Sequence, residues 1–151
     1  MKKVNLVFGT VYGGAQYVAE TMQQLLANSG YDVVLYSSDE LVDFVPPQDE
    51  LLLMICSTTG QGDLPDDILP WFLMMQSTAP YLPELAFGII GLGDSSYETY
   101  CGAAEQLVAL FEDLGAKQVG EFLKIDAGET MEPEVAAEAW LPSWCERINN
   151  L

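Results

Sequence analysis

Three loops rich in glycine and hydroxyl residues are the parts of this sequence best suited to bind a ligand. They are residues 9–15 (GTVYGGA), 57–63 (STTGQGD) and 91–97 (GLGDSSY). Each loop directly follows a short apolar run that indicates a buried strand, at residues 4–8, 51–56 and 86–90. In an open α/β sheet, ligands bind in the crevice outside the carboxyl ends of the strands. We therefore predict that the three loops meet at one edge of a sheet and form a site made largely of backbone amides.

The first loop has the features of an anion site. Gly9, Gly13 and Gly14 allow close approach of the backbone to a ligand, and a helix is predicted to begin directly after them. The free amides and the positive dipole end of a helix N-terminus attract phosphate. The loop matches neither the P-loop, G-x-x-x-x-G-K-S/T, nor the dinucleotide pattern G-x-G-x-x-G. It predicts a site for a phosphate monoester, and the alternative is a tight turn with no ligand.

The other two loops offer hydroxyls and backbone donors but no strong acid or base. The third loop leads through Tyr97 to Tyr100 and Cys101, just before a predicted helix. An aromatic side chain at such an edge either covers the core or stacks on a planar ring. With no histidine in the chain, no nucleophile–base pair and no metal cluster, we predict no catalytic residue and no metal site.

The charge of the chain is strongly negative, with a formal net charge of -18 at pH 7. Its basic residues are Lys2, Lys3, Lys117, Lys124 and Arg147. Nucleic acid is excluded as a partner, because a phosphate backbone requires a basic footprint. The acidic charge serves either solubility or the steering of a basic protein partner. The second is favoured by five acidic residues in or beside the loops: Asp63, Asp66, Asp67, Asp94 and Glu98.

Length and composition indicate one globular domain over residues 1–151, half of whose residues are hydrophobic. No apolar stretch approaches the roughly 20 residues of a membrane span, and the first apolar run is too short for a signal peptide. We therefore expect a cytoplasmic protein with no membrane partner. Cys56, Cys101 and Cys145 form no C-x-x-C pair, which predicts reduced thiols rather than a disulfide framework or a zinc site.

Strand and helix patterns alternate from end to end. A helical stripe runs from Ala15 to Leu26 and closes at Gly30, and a second strand is predicted at residues 31–36. The remaining elements are helices at residues 68–77, 104–114 and 134–148, the last kinked by Pro142, and a fifth strand at residues 119–125. Five strands separated by helices predict a parallel sheet with helices on both faces. Periodicity alone does not predict the strand order.

Taken together, the three loops resemble those of the flavodoxin family, specifically its short-chain members, which lack an insertion in the fifth strand. Residues 10–15 are similar to the family's phosphate loop, S/T-x-T-G-x-T/S, and residues 57–63 to its S-T-x-G-x-G-D loop. Residues 92–101 match L-G-D-x-x-Y-x-x-F/Y-C at every marked position. The resemblance spans the whole chain and is greatest to the small YqcA/MioC-type group. It implies a flavodoxin-like doubly wound five-stranded sheet of order 2-1-3-4-5 that binds FMN.

The resemblance also implies which residues contact FMN. In the first loop these are Thr10, Val11, Tyr12, Gly13, Gly14 and Ala15. In the second loop they are Ser57, Thr58, Thr59, Gly60, Gln61 and Gly62, with the Gly60-Gln61 peptide bonded to the flavin N5. In the third they are Leu92, Gly93, Asp94, Tyr97, Tyr100 and Cys101, with Tyr97 stacked on the ring.

Three positions depart from the family pattern. Tyr12 and Ala15 replace hydroxyl residues that would donate to the phosphate, and each lost bond to a charged group costs about 1.5–3 kcal/mol. Thr59 stands where many members place an aromatic residue over the inner flavin face, which leaves stacking to Tyr97 alone. These changes predict weaker retention of FMN.

The function favoured by these observations is that of a monomeric one-electron carrier, whose partners are basic redox proteins such as a flavodoxin reductase and an electron acceptor. One alternative is a flavodoxin-like binding module that holds FMN weakly and acts by docking to a partner. Another is an FMN-dependent NAD(P)H oxidoreductase, which usually needs cations for the phosphates of its nucleotide. The first of these alternatives is supported by Tyr12 and Ala15, and the second is disfavoured because residues 4–116 contain no Lys or Arg.

Overall fold

A parallel β-sheet forms the centre of the molecule in a computed structural model that describes residues 2–59, 62–96 and 100–151. Its strands are β1 (Lys3–Gly9), β2 (Asp32–Tyr36), β3 (Leu51–Ser57), β4 (Ala86–Gly93), β5 (Lys117–Gln118) and β6 (Leu123–Asp126). They are ordered β2-β1-β3-β4-β5, and β6 also pairs with β4. The order 2-1-3-4-5 predicted from the resemblance is confirmed.

The register of the sheet brings the ends of the strands together. Gly9 of β1 lies opposite Cys56, Ser57 of β3 lies opposite Leu92, and Gly93 of β4 lies opposite Asp126. Because all these pairs are parallel, the loops that follow β1, β3, β4 and β6 leave the sheet at the same edge. This alignment places the glycine- and hydroxyl-rich loops side by side.

Helices cover both faces of the sheet, as predicted. They are α1 (Gly14–Asn28), α2 (Leu69–Thr78), α3 (Gly102–Asp113) and α4 (Pro133–Asn149), with a 3-10 turn at Ser38–Leu41. One core cluster joins the sheet to α2 and α3 through Trp71, Phe111 and their neighbours. The other joins it to α1 and α4 through Met22, Trp144 and their neighbours. Buried on both faces, β3 and β4 are nearly continuous apolar runs rather than alternating ones, whereas β1 also contains Lys3 and the buried Asn5.

The fifth strand position differs from the sequence-based expectation of one continuous strand at residues 119–125. The two short strands β5 and β6 occupy that edge of β4, and the chain between them leaves the ladder at Gly120, whose φ is 79°. The carbonyls freed there accept hydrogen bonds from two indoles of α4: Trp144 Nε1 donates to Val119 O and Trp140 Nε1 to Glu121 O, both at 3.1 Å. The interruption is therefore built into the packing of α4.

Helix bounds agree with the periodicity to within two residues, and Pro142 lies inside α4. Among the described residues, no helix is both long enough and apolar enough to cross a lipid bilayer.

Candidate functional site

The three loops surround a cavity of about 720 Å³ at the carboxyl edge of the sheet. This volume lies within the range of about 300–1,000 Å³ that is usual for small-molecule sites. The predicted residues that line it are Val11, Tyr12, Gly14, Ser57, Thr58, Thr59, Leu92, Gly93, Asp94, Tyr100 and Cys101. The structure thus brings most of the candidate residues together.

The remaining candidates lie behind the cavity wall or outside the described residues. Ala15 has no exposed surface and packs in the core cluster beneath α1. Thr10, Gly13 and Gly62 support the loops without lining the cavity. Gly60, Gln61 and Tyr97 lie outside the described residues, so the N5 contact and the ring stacking remain predictions.

The first loop supplies unused amides. Its turn depends on Gly13, whose φ of 90° suits glycine, and the Gly13 amide donates to Thr10 Oγ1 at 2.9 Å. Within the described residues, no hydrogen bond uses the amides of Gly14, Ala15 or Gln16 at the start of α1. These are the orphan donors of a helix N-terminus, where an anion is favoured.

Asp67 holds the base of this loop. The Thr10 amide donates to both carboxylate oxygens of Asp67, at 3.0 and 3.1 Å. Burial raises the pKa of the half-buried Asp67 carboxyl, although the hydrogen bond from Thr10 opposes that rise. Asp67 therefore holds the first loop together and is not a free surface charge that could steer a partner.

The other four acidic residues in or beside the loops occupy different settings. Asp63 and Asp66 are exposed. Asp94 is half-buried and accepts hydrogen bonds from the amide and hydroxyl of Ser96, at 2.9 and 2.6 Å. Glu98 lies outside the described residues.

The two ends of the second loop pair with each other and are supported by α3. Thr59 and Asp63 exchange backbone hydrogen bonds of 3.0 and 2.7 Å. Gly62 packs so closely on α3 that a Cβ on Gly102 would lie 3.0 Å from the Gly62 Cα. The side-chain amide of Gln106 also donates to Gly62 O at 2.7 Å. The start of α3 thus positions the loop beside the cavity.

The third loop presents neutral groups to the cavity. Burial raises the pKa of the Cys101 thiol to about 11 and that of the Tyr100 phenol to about 12, so both are protonated at neutral pH. Burial also raises the pKa of Cys56. The three cysteines are free thiols, as predicted. Neither Cys101 nor Tyr100 is poised as a nucleophile or base.

A fourth wall of the cavity was not predicted from the sequence. The segment after β6 lines the cavity with Ala127, Thr130, Met131 and Pro133. Its position follows the same rule as that of the other loops, since it leaves the carboxyl end of the last strand, but it carries no glycine-rich motif. Met131 of this wall and Tyr12 of the first loop are 96% and 99% exposed, which gives the mouth of the cavity an apolar border.

One cation near the site was also missed, because Lys124 is distant from the loops in sequence. Its ammonium lies 5.9 Å from the ring centroid of Tyr100. It is paired with Glu105 at 2.9 Å. None of the described residues that line the cavity is Lys or Arg.

A sequence model of the family described as Flavodoxin matches residues 6–140. The chain belongs to the flavodoxin family. Members of this family are electron carriers that typically use FMN, and the predicted family membership is confirmed.

Individual flavodoxins and related proteins resemble the chain along almost all of its length. Flavodoxin YqcA of Escherichia coli strain K12 is 40% identical over 144 residues, covering 95% of this chain and 97% of its own. Protein MioC of the same organism is also 40% identical, with the same coverage. Among solved structures, the C101S mutant of a flavodoxin from Pseudomonas aeruginosa has a TM-score of 0.87 and 39% identity, covering 97% of this chain and 99% of that one. The predicted resemblance to the YqcA/MioC-type group is confirmed.

The site fits the cofactor that flavodoxins typically bind. The free amides of the exposed residues Gly14 and Gln16 suit a phosphate, and the adjoining cavity is lined by Leu92, Tyr100 and other largely apolar groups that suit a planar ring. Both requirements of FMN are thus met by neighbouring parts of one cavity.

Proposed function

We propose that this protein binds FMN in the cavity and, as a monomer, carries single electrons from a reductase to basic redox partners. The observation that carries the proposal is the set of unused amides at the start of α1, which opens beside a largely apolar cavity of about 720 Å³. Membership of the flavodoxin family supports it independently.

The first loop would hold the phosphate and the other walls would hold the ring. The amides at the start of α1 are the donors for the phosphate. Thr58 and Thr59 on one side, and Leu92 and Tyr100 on the other, would enclose the ring, with Tyr97 the proposed stacking residue. The Gly60-Gln61 peptide is the proposed partner of the flavin N5.

FMN, when bound, supplies reversible one-electron redox chemistry. The protein contributes binding, exclusion of water and electrostatics. Its exposed carboxylates disfavour added negative charge at the ring by Coulomb repulsion, which would lower the reduction potential.

The charge around the mouth supports docking to basic proteins. Asp63 and Asp66 are exposed beside the second loop, and Glu129 and Glu132 are exposed in the segment after β6. Complementary charge of this kind steers encounter more than it adds affinity.

A binding module with weak FMN retention is a second candidate. Ala15 is buried in the core, and Gly13 and Gly14 have no side-chain donor, so the loop offers a phosphate few side-chain donors beside the Thr10 hydroxyl, whose oxygen accepts the Gly13 amide. The two functions differ in how tightly the phosphate is held.

Titration of the apoprotein with FMN and with riboflavin, which lacks the phosphate, tests the proposal. Flavin fluorescence should show tighter binding of FMN than of riboflavin. Tyr12→Thr would place a hydroxyl at the mouth of the phosphate site and should tighten FMN on the order of tenfold without affecting riboflavin. Tyr12→Val has the same shape as the threonine variant without its hydroxyl and should not produce this gain.

Two outcomes would count against the proposal. Equal affinity of the unmodified protein for FMN and riboflavin would show that the first loop does not hold the phosphate. Loss of all flavin on dialysis, with dissociation constants above physiological concentrations, would favour the binding module.

A further inference from the structure

Asp126 connects two walls of the cavity. It is the last residue of β6 and only 8% exposed, so its carboxylate faces the protein rather than solvent. Oδ1 accepts the amides of Ser95, at 3.0 Å, and Gly128, at 2.8 Å. Oδ2 accepts the Ser95 hydroxyl. Ser95 belongs to the third loop and Gly128 to the segment after β6, so one carboxylate bonds both.

Backbone contacts reinforce the same junction. The Ala127 amide donates to Gly93 O at 2.8 Å, and Asp126 O accepts the amides of Glu129 and Thr130, at 3.0 and 3.1 Å. The residues joined in this way border the cavity on two sides, since Gly93, Ala127 and Thr130 all line it. The separation of these two walls therefore depends on the Asp126 junction.

The junction is built for an ionised carboxylate. The Ser95 hydroxyl first, and then the amides of Ser95 and Gly128, hold the pKa of Asp126 below its usual range. Hydrogen bonds to an ionised acceptor are roughly twice as strong as those between neutral groups. Asp126 thus differs from the acidic residues around the mouth, whose carboxylates are exposed to solvent.

We propose that Asp126 is a positioning residue that sets flavin affinity by holding the third loop against the segment after β6. The inference rests on the proposed function, because it assigns the clamped walls to the ring of FMN. The first loop, which would hold the phosphate, is not part of the clamp. Loss of the clamp should therefore weaken FMN and riboflavin by the same factor.

A graded set of variants tests this role. Asp126→Ala removes all three acceptor contacts and should weaken both flavins on the order of tenfold or more. Asp126→Asn retains Oδ1 for the two amides and should restore much of the affinity. Ser95→Ala removes only the hydroxyl and should have the smallest effect. Glu138→Gln removes one charge from an exposed carboxylate on α4, outside the junction, and should change neither affinity by more than about twofold.

Hydrogen exchange of the apoprotein supplies a measurement that does not need flavin. Asp126→Ala should accelerate exchange of the Ser95 and Gly128 amides, while amides in β1 and β3 retain their protection. If the alanine variant does not fold, the same exchange and affinity measurements on Ser95→Ala and Asp126→Asn should show smaller changes in the same direction.

The outcomes separate this inference from the proposed function. Unchanged exchange at Ser95 and Gly128, or faster exchange with unchanged flavin affinity, would overturn the role of Asp126 and leave flavin binding intact. A larger loss for FMN than for riboflavin would also overturn it. If the unmodified protein bound no flavin, the proposed function and the affinity role would fail, whereas the exchange data would still report the clamp.

Discussion

Asp67 places a negative charge at the base of the first loop, although that loop is suited to bind an anion. Its two oxygens share the Thr10 amide, and the carboxyl is half-buried with a raised pKa. The neighbouring Asp66 is exposed and also raises the Asp67 pKa. Asp67 therefore organises the loop at some electrostatic cost.

That cost predicts a pH dependence. Because the folded-state pKa of Asp67 lies above that of an unfolded aspartate, the folded chain binds the extra proton as the pH falls through the folded pKa. The carboxylate thus lowers stability at neutral pH, and acidification relieves this penalty. Asp67→Asn, which keeps an oxygen acceptor for the Thr10 amide, should be more stable than the unmodified protein at pH 7, with a gain that shrinks toward about pH 4.

Urea unfolding at a series of pH values would measure this gain. Asp66→Asn makes the same change in charge at an exposed position and serves as the control. An Asp67→Asn variant that is less stable at pH 7, by an amount independent of pH, would show that bonding to the carboxylate outweighs its burial.

At this scale the sequence predicted the cavity-lining residues well but not their bonding. The spacing of glycines and hydroxyls in three loops identified Val11, Thr58, Tyr100 and others that line the cavity. It did not reveal that the Thr10 hydroxyl accepts the Gly13 amide, or that Asp67 accepts the Thr10 amide. Such contacts depend on which side chains meet in three dimensions, and local spacing carries no information about them.

The interruption between β5 and β6 is the main feature at the scale of elements. Gly120 adopts a φ of 79°, and a Cβ there would lie 2.9 Å from Cδ1 of Trp144. The same indole donates to Val119 O, so it cannot move away without breaking that bond. Backbone conformation and packing both require glycine at this point.

A pair of glycine substitutions separates these two requirements. Gly30 has a similar φ of 94°, but no atom lies within 4 Å of a Cβ built there. Gly30→Ala should therefore cost only the left-handed backbone term of about 1–2 kcal/mol. Gly120→Ala should cost about 1–3 kcal/mol more, because the methyl group also displaces Trp144.

The free energy of unfolding in urea, measured for both variants and the unmodified protein, separates the cost of backbone conformation from that of the contact with Trp144. Equal losses of stability would mean that Trp144 adjusts freely and that only backbone conformation matters at Gly120.

Apolar residues at helical spacing, and glycines just after them, predicted the helix bounds closely. Burial of one helix face imposes this periodicity on the sequence. The split fifth strand was not predicted, because residues 119–125 are apolar enough for one strand and the interruption depends on indoles of α4. The wall after β6 was missed for a similar reason. Its place becomes apparent only from the pairing of Gly93 with Asp126.

On the scale of the whole molecule, the net charge is -18, and we expect the acidic residues near the site to matter more for function than those elsewhere. Asp63 and Asp66 are exposed beside the proposed cofactor site, whereas Glu20 and Glu112 are exposed on helices α1 and α3, outside the loops. If charge steers a basic partner to the mouth, the first pair should matter far more than the second.

Electron exchange with a basic redox protein, such as a flavodoxin reductase, should slow as ionic strength rises. Salt shortens the Debye length from about 10 Å at 0.1 M to about 3 Å at 1 M, which screens the attraction between the partners. At low salt, the double variant Asp63→Asn with Asp66→Asn should lower the association rate about threefold or more, with little change in FMN affinity. Glu20→Gln with Glu112→Gln removes the same charge away from the mouth and should have much less effect. If the stopped-flow rates did not depend on ionic strength, or fell equally for the two double variants, the acidic surface would serve solubility rather than steering.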